Sequence, residues 1–320
     1  MIRGSSRVRR KSRPTGPEST VNPLRPLFLG IGAYAMWGLA PAYWKLFASI
    51  PAAELLAHRI FWSLLVALVL LAATRRFAAY RAVLRTPRAL LAMTLAALLL
   101  GVNWLVFVWA VVQGQILATS LGYYLNPLIS VVLGLVVLHE RLRPMQWLAV
   151  SLAAVGVGGY VVSVGELPWV SVVLAATFGL YGLVRKTSPT LPIPGFAVEM
   201  SVLVVPAIAF IALLAFDHRG ALASAPPGTG FALAASGLVT AAPLICFNAA
   251  ARDLDLSTLG ILQYIAPSIS LVLAILAYGE AFTVVHGFTF GCVWTALLIF
   301  TSDSILRLRN RSRSAASIGR

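Results

Sequence analysis

The chain has 320 residues, of which 59% are hydrophobic and 11% charged, and its mean hydropathy is +0.88. A soluble globular domain carries roughly 25% charged residues, so this composition excludes a soluble enzyme or binding module and points to an all-α polytopic membrane protein. The formal charge of +15 does not signal nucleic-acid binding, because it is gathered in tails and alternate loops. Cys246 and Cys292 both lie in apolar runs, where a cysteine acts as a small hydrophobe and neither a disulfide nor a zinc site has support.

Residues 1–26 carry Arg3, Arg7, Arg9, Arg10, Lys11, Arg13 and Arg25 among Pro and Ser, which predicts a disordered basic arm. The run from Leu27 to Leu46 is longer than the apolar core of a secretory signal and is read as a retained membrane helix. Ten apolar spans follow from hydropathy and length, at 27–46, 52–72, 89–112, 117–138, 145–163, 168–184, 197–216, 230–250, 257–278 and 286–303, with a basic tail over 304–320. If the N-terminus is cytoplasmic, 22 of the 25 Lys and Arg residues fall on the inner side. The positive-inside rule then places both termini in the cytoplasm.

The stretch from Leu121 to Glu140 occurs twice. A shift of 140 positions sets Tyr124 on Tyr264, Pro127 on Pro267, Ile129 on Ile269, Ser130 on Ser270, Leu133 on Leu273 and Glu140 on Glu280, with Phe107 on Phe247 and Ala110 on Ala250. So many matches at one offset indicate two homologous halves, 27–163 and 168–303. Five spans per half is an odd number, so the second half enters the membrane from the opposite side and the repeats are inverted. Fainter echoes set Trp37-Gly38-Leu39 against Tyr181-Gly182-Leu183 at 144, and Glu54 against Glu199 at 145. Inverted repeats provide alternating access to a site near the midplane.

Several stretches carry a family resemblance: residues 34–43 (YAMWGLAPAY) with Lys45, Glu54 with His58-Arg59 and Trp62-Ser63, Gly101-Val102-Asn103-Trp104, Ser120-Leu121-Gly122-Tyr123 with Asn126-Pro127-Leu128, residues 181–186 (YGLVRK), and residues 256–260 (LSTLG) with Gln263-Tyr264-Ile265. Over about 25–305 the chain resembles the RarD branch of the EamA-type transporters in the drug/metabolite transporter superfamily. The resemblance implies ten helices in two EamA-type repeats, residence in the bacterial inner membrane, and transport of small metabolites or drugs, chloramphenicol-type compounds among them. One departure is visible: the Gly-Glu that follows the fourth and ninth helices in the family survives as Gly279-Glu280 but reads His139-Glu140 in the first half.

Ionisable groups inside a membrane are functional candidates by default. Glu54 and His58 share one helical face at i, i+4, able to share a proton or hold a substrate amine, or to form a structural ion pair. Arg59, about 100° further round, is placed to meet a carboxylate or to snorkel outward. Asn103 lies beyond the midplane, either hydrogen-bonded to a ligand or linking two helices. Trp104, Phe107 and Trp109 offer stacking walls or packing surface. Pro127 and Pro267 should kink their helices, making Tyr124 and Tyr264 with these prolines, and with Trp37 and Tyr181, candidate gates or cavity walls. Asn126, opposite Ala266, and Gln263 complete the substrate or coupling candidates. Glu140 and Glu280 follow helix C-termini, where negative charge is unfavourable, and pairing of Glu140 with Arg141 or Arg143 is the favoured compensation over a coupling role. Lys45 serves either as an interface anchor or as a contact for a substrate carboxylate.

The four histidines, His58, His139, His218 and His286, have no metal-ligand spacing, and no phosphate-cradling loop is present. The sequence therefore reads as a secondary active transporter and not an enzyme, without cofactor or metal. A passive channel or facilitator is the alternative, and a non-transporting receptor or scaffold a more distant one. Its expected partners are the lipid bilayer, a small-molecule substrate, protons or another coupling ion, and a second copy in a homodimer; nucleic acid is not among them.

Overall fold

A computed structural model describes residues 24–47, 50–112, 116–165, 169–217, 220, 226–278 and 284–318. Among these there is no strand. Twelve helices follow in order: α1 (Arg25–Trp44), α2 (Ala52–Ala73), α3 (Phe77–Arg85), α4 (Pro87–Val112), α5 (Ile116–Val136), α6 (Pro144–Val164), α7 (Trp169–Thr187), α8 (Pro192–Phe216), α9 (Thr229–Asp253), α10 (Leu256–Leu262), α11 (Ile265–Tyr278) and α12 (Val284–Ile318). Among the described residues, six segments are long and apolar enough to cross a membrane: Ala52–Ala73, Pro87–Phe107, Pro144–Ser163, Trp169–Thr187, Pro192–Phe216 and Thr229–Asp253. Shorter apolar stretches occupy Gly122–Val136 and Gly287–Asp303. Most of the expected basic arm, and Glu280, His218 and His286's side chain, lie outside the described residues.

Three elements depart from the sequence expectation. α12 does not stop at 303 but continues to Ile318, through most of the expected basic tail. The stretch after α2, read as a basic loop, forms the short amphipathic helix α3. Its Tyr80 and Val83, one turn apart, face α8: the Tyr80 hydroxyl is 3.0 Å from Ser201 Oγ, and Val83 packs with Met93 and Val198. Arg81 and Arg85 stay exposed, as expected of a helix lying along an interface. The expected span 257–278 is divided into α10 and α11 at Gln263-Tyr264. Pro267 has no N–H to bond the Gln263 carbonyl four residues back, and that carbonyl accepts from Ala266 N instead, at 3.2 Å. Pro127 makes the same demand on α5, which nevertheless continues through it.

The main core is formed by α1, α2, α4, α7, α8, α9 and α10, with Tyr34, Tyr181, Phe196, Met200 and Phe247 fully buried. A second core joins α5, α6, α10 and α12 around Tyr124, Tyr264, Phe290 and Phe300. Helices pack as α5 on α7, α4 on α7, α1 on α9 and α11, α2 on α8 and α9, α5 on α10, and α6 on α12. Glycines permit the closest crossings, as small residues do between membrane helices. A Cβ at Gly237 of α9 would stand 2.5 Å from the Trp62 carbonyl of α2, and one at Gly260 of α10 would stand 2.7 Å from the Pro127 carbonyl oxygen of α5.

Candidate functional site

Three polar arrangements interrupt this apolar packing. The first centres on Arg59, in the second turn of α2. Its guanidinium carbon lies 4.1 Å from the Trp104 ring centroid of α4 and 5.1 Å from that of Trp44 at the end of α1. Tyr123 of α5 is within Coulombic range, and its ring centroid is 5.9 Å from that of Phe107. Arg59 Nε is buried without a hydrogen-bond partner. Arg59 is half-buried, and Tyr123 keeps 42% of its surface accessible.

The second arrangement is buried where α7, α8 and α9 meet. Arg185 Nη1 is 3.4 Å from Glu199 Oε1, both side chains being essentially without exposure. The Tyr181 hydroxyl lies 3.4 Å from Glu199 Oε2 and 3.1 Å from Asn248 Oδ1. Arg185 also donates to the Met93 sulfur at 2.8 Å and to the Pro192 carbonyl at 3.4 Å. A Cβ at Gly195 would stand 2.0 Å from Arg185 Nη1, so the turn that opens α8 leaves room for the guanidinium only as glycine. Lys186 donates to the Leu254 carbonyl at the end of α9, at 2.5 Å.

The third arrangement corrects an expectation. Glu140 does not pair with Arg141 or Arg143. Its carboxylate accepts from the Leu256 N–H (2.7 Å), the Ser257 N–H (3.0 Å) and the Ser257 hydroxyl (2.6 Å), spanning the start of α10. The first N–H groups of a helix lack intrahelical partners and carry partial positive charge, so the acid that would oppose the end of its own helix completes the beginning of another. Arg143 instead binds Asp303 of α12, at 2.6 and 3.1 Å. A Cβ at Gly134 would stand 2.5 Å from Glu140 Oε2, so the carboxylate lies directly over α5. His139 turns the chain into this position at φ +53°, the left-handed conformation that glycine adopts freely and other residues at a cost.

The structure distributes the remaining candidates among these places. Glu54 is buried, its Oε1 3.7 Å from where a Cβ on Gly220 would stand, and His58 is half-buried within Coulombic range of it. Asn103 directs its amide to α7, donating to the Leu174 carbonyl and the Thr177 hydroxyl at 2.9 Å each, the helix-linking arrangement. Tyr124 and Tyr264 sit in the second core, where the Tyr264 hydroxyl donates to the Tyr124 carbonyl at 3.2 Å and the Tyr124 ring meets Tyr160 and Phe290. Asn126 is buried with Oδ1 unpartnered, Gln263 is buried, and Pro127 lies in the α5–α10 crossing while Pro267 opens α11. Trp37 joins Tyr34, Phe178 and Phe247 in the main core beside Tyr181. The Lys45 side chain is outside the described residues. Sequence reasoning passed over Asn248, Trp44 and Tyr123 as site residues, counted Arg185 among loop cations, and met Glu199 only as an echo of Glu54. The available signal was an acid inside an apolar run with a cation fourteen residues before it.

Apolar helices that bury charged and amide groups between them define a multi-pass membrane protein with polar sites inside its bundle. Residues 24–162 match the EamA-like transporter family. The chain is similar to the uncharacterized transporter PA0485 of Pseudomonas aeruginosa, 43% identical over 291 residues that cover 91% of this chain and 98% of the relative. It is similar to the protein RarD of Escherichia coli, 40% identical over 287 residues, 90% of this chain and 97% of that one. A crystal structure superimposes with a TM-score of 0.64 at 20% identity, covering 86% of this chain and 97% of the other, a likeness of fold alone. The chain belongs to the EamA-like transporters, in the RarD branch of the drug/metabolite transporter superfamily, and is a membrane transporter.

Proposed function

We propose that the protein is a secondary active transporter that moves a small organic metabolite or drug across the bacterial inner membrane by alternating access between two inverted five-helix repeats, 27–163 and 168–303, with ten spans and both termini cytoplasmic. The carrying observation is that the packing repeats when the halves are exchanged. α5 on α7 is answered by α11 on α1, and α4 on α7 by α9 on α1, while α2 with α8, α5 with α10, and α6 with α12 pair each element with its own counterpart. The crossings agree in detail: a Cβ at Gly38 would stand 2.7 Å from Ile269 Cβ, and one at Gly179 would stand 2.9 Å from Ile129 Cγ2. Ile129 and Ile269 are themselves matched at 140.

This supports a register of 141 for the first helix of each half in place of 144. It aligns Ala35 with Ala176, Trp37 with Phe178, Gly38 with Gly179, Leu39 with Leu180 and Lys45 with Lys186, and Trp37 and Phe178 then face each other, at 5.6 Å. The Glu140 clamp closes the end at which α5 stops and α10 begins, the cytoplasmic end in this topology, while Tyr123 beside Arg59 keeps accessible surface nearer the other. Such a pair of conditions suits a carrier resting with its inner side shut. A relative in Pseudomonas aeruginosa is named chloramphenicol-sensitive protein RarD, 32% identical over 291 residues, so chloramphenicol-type compounds are among the substrates to try. Counterflow in proteoliposomes tests the mechanism: internal unlabelled solute accelerates uptake of labelled solute through a carrier. Uptake without that acceleration, accompanied by ohmic current, would instead establish a channel.

A further inference from the structure

The transporter reading leaves the substrate open, and the surroundings of Arg59 narrow it. Among the described residues two arginines are ion-paired, Arg143 with Asp303 and Arg185 with Glu199, and Arg59 is not one of them. It donates no hydrogen bond to a described residue, and its Nε, like those of Arg143 and Arg185, is buried without a partner. Trp104 and Trp44 contact the guanidinium through their rings, at 4.1 and 5.1 Å. Aromatic faces attract a cation, but they do not satisfy the N–H donors, which lie in the guanidinium plane. A snorkelling arginine would carry its head out to water, whereas this guanidinium is held between Trp44 at the end of α1 and Trp104 within α4. No described carboxylate is ion-paired with the guanidinium, and Tyr123, whose ring centroid is 5.9 Å from that of Phe107, stands within Coulombic range of it.

We infer that this group of side chains binds an organic anion with a planar aromatic body, an aryl carboxylate, with the carboxylate held by Arg59 and the ring against Tyr123 and Phe107. The inference rests on reading the chain as a transporter, and it concerns equilibrium binding, which can be measured apart from transport. Guanidinium forms two parallel hydrogen bonds to a carboxylate, while an ammonium acts as a point charge. An amide of the same shape has neither the charge nor the acceptor pair.

The test uses the full-length protein in detergent, with 2-naphthoate as probe and 2-naphthamide as its neutral match, read by quenching of tryptophan fluorescence and by thermal shift. Wild type should bind the carboxylate at least about tenfold more tightly than the amide, since a hydrogen bond to a charged group contributes that much or more. Arg59→Gln should abolish the preference. Arg59→Lys, which keeps the charge and guards against a folding defect in the first variant, should weaken naphthoate binding about tenfold while the ligand-free melting temperature stays near that of wild type. Equal affinity for acid and amide in wild type, or unchanged naphthoate affinity in Arg59→Lys, would overturn the inference. Binding as expected without counterflow of naphthoate would leave this site in place and count against the carrier mechanism, so the two failures are distinguishable.

Discussion

Replacing Glu140 by alanine removes the carboxylate that joins the end of α5 to the start of α10. Three donors are affected: two backbone N–H groups at 2.7 and 3.0 Å and the Ser257 hydroxyl at 2.6 Å. Hydrogen bonds to a charged group contribute about 1.5–3 kcal/mol each, and a negative charge at a helix N-terminus about 0.3–1 kcal/mol more. Glu140 is only half-buried, so water replaces part of what is lost, and a net cost of about 2–4 kcal/mol to local closure is expected. Hydrogen exchange over residues 254–262 reads this directly, because a tenfold change in opening corresponds to about 1.4 kcal/mol. The amides of α10 should exchange roughly 30- to 700-fold faster in Glu140→Ala, and by a smaller factor in Glu140→Gln, which keeps an acceptor and loses the charge. Gly134→Ala should reproduce the effect, since its Cβ would stand 2.5 Å from the carboxylate oxygen. If exchange in α10 is the same in wild type and Glu140→Ala, the clamp contributes nothing and the reasoning from its geometry is wrong.

Further consequences can be measured on the same purified protein. His139→Gly should raise stability by about 1 kcal/mol, seen as a higher denaturation midpoint, because the residue sits at φ +53° where an L side chain is penalised. Arg185→Met should cost about 3–5 kcal/mol by leaving Glu199 buried and uncompensated, and the double variant Arg185→Met/Glu199→Leu should regain most of that in thermal melts. Arg143→Ala should cost less than about 1 kcal/mol, and the difference from wild type should shrink in high salt, because the Arg143–Asp303 pair is 30% and 21% exposed.

The helical class and most element positions were legible because hydropathy and length act on whole segments. α2 spans Ala52–Ala73 against an expected 52–72, and α4 spans Pro87–Val112 against 89–112. α8 begins five residues earlier than expected, at Pro192, because proline is well tolerated in a first helical turn, where its missing N–H has no intrahelical partner to lose. α3 was hidden by its length: nine residues with two arginines read as a charged loop until Tyr80 and Val83 are seen to dock on α8. The break before α11 was half legible. A proline stood at the same place in both copies, yet one helix continued and the other divided, and the differing residues ahead of each proline, among them Gly122, Tyr123 and Asn126 against Leu262, Gln263 and Ala266, were the sequence sign of a different outcome.

The site was less legible because charge counting treats every cation near a span end as solvated. Arg185 satisfies that count and is nevertheless buried against Glu199. In the proposed registers Trp44 corresponds to Arg185 at 141 and Glu54 to Glu199 at 145, so the equivalent place in the two halves holds an aromatic ring in one and a guanidinium in the other. The second half closes its position with a cation on α7 and an acid on α8. In the first half the ring of Trp44 lies instead over a cation from α2 that is ion-paired with no described carboxylate. A symmetric pair of ion pairs would hold both ends alike; the divergence of the halves leaves one guanidinium ion-paired within the fold and the other, in the proposed site, to an anion that enters from outside it.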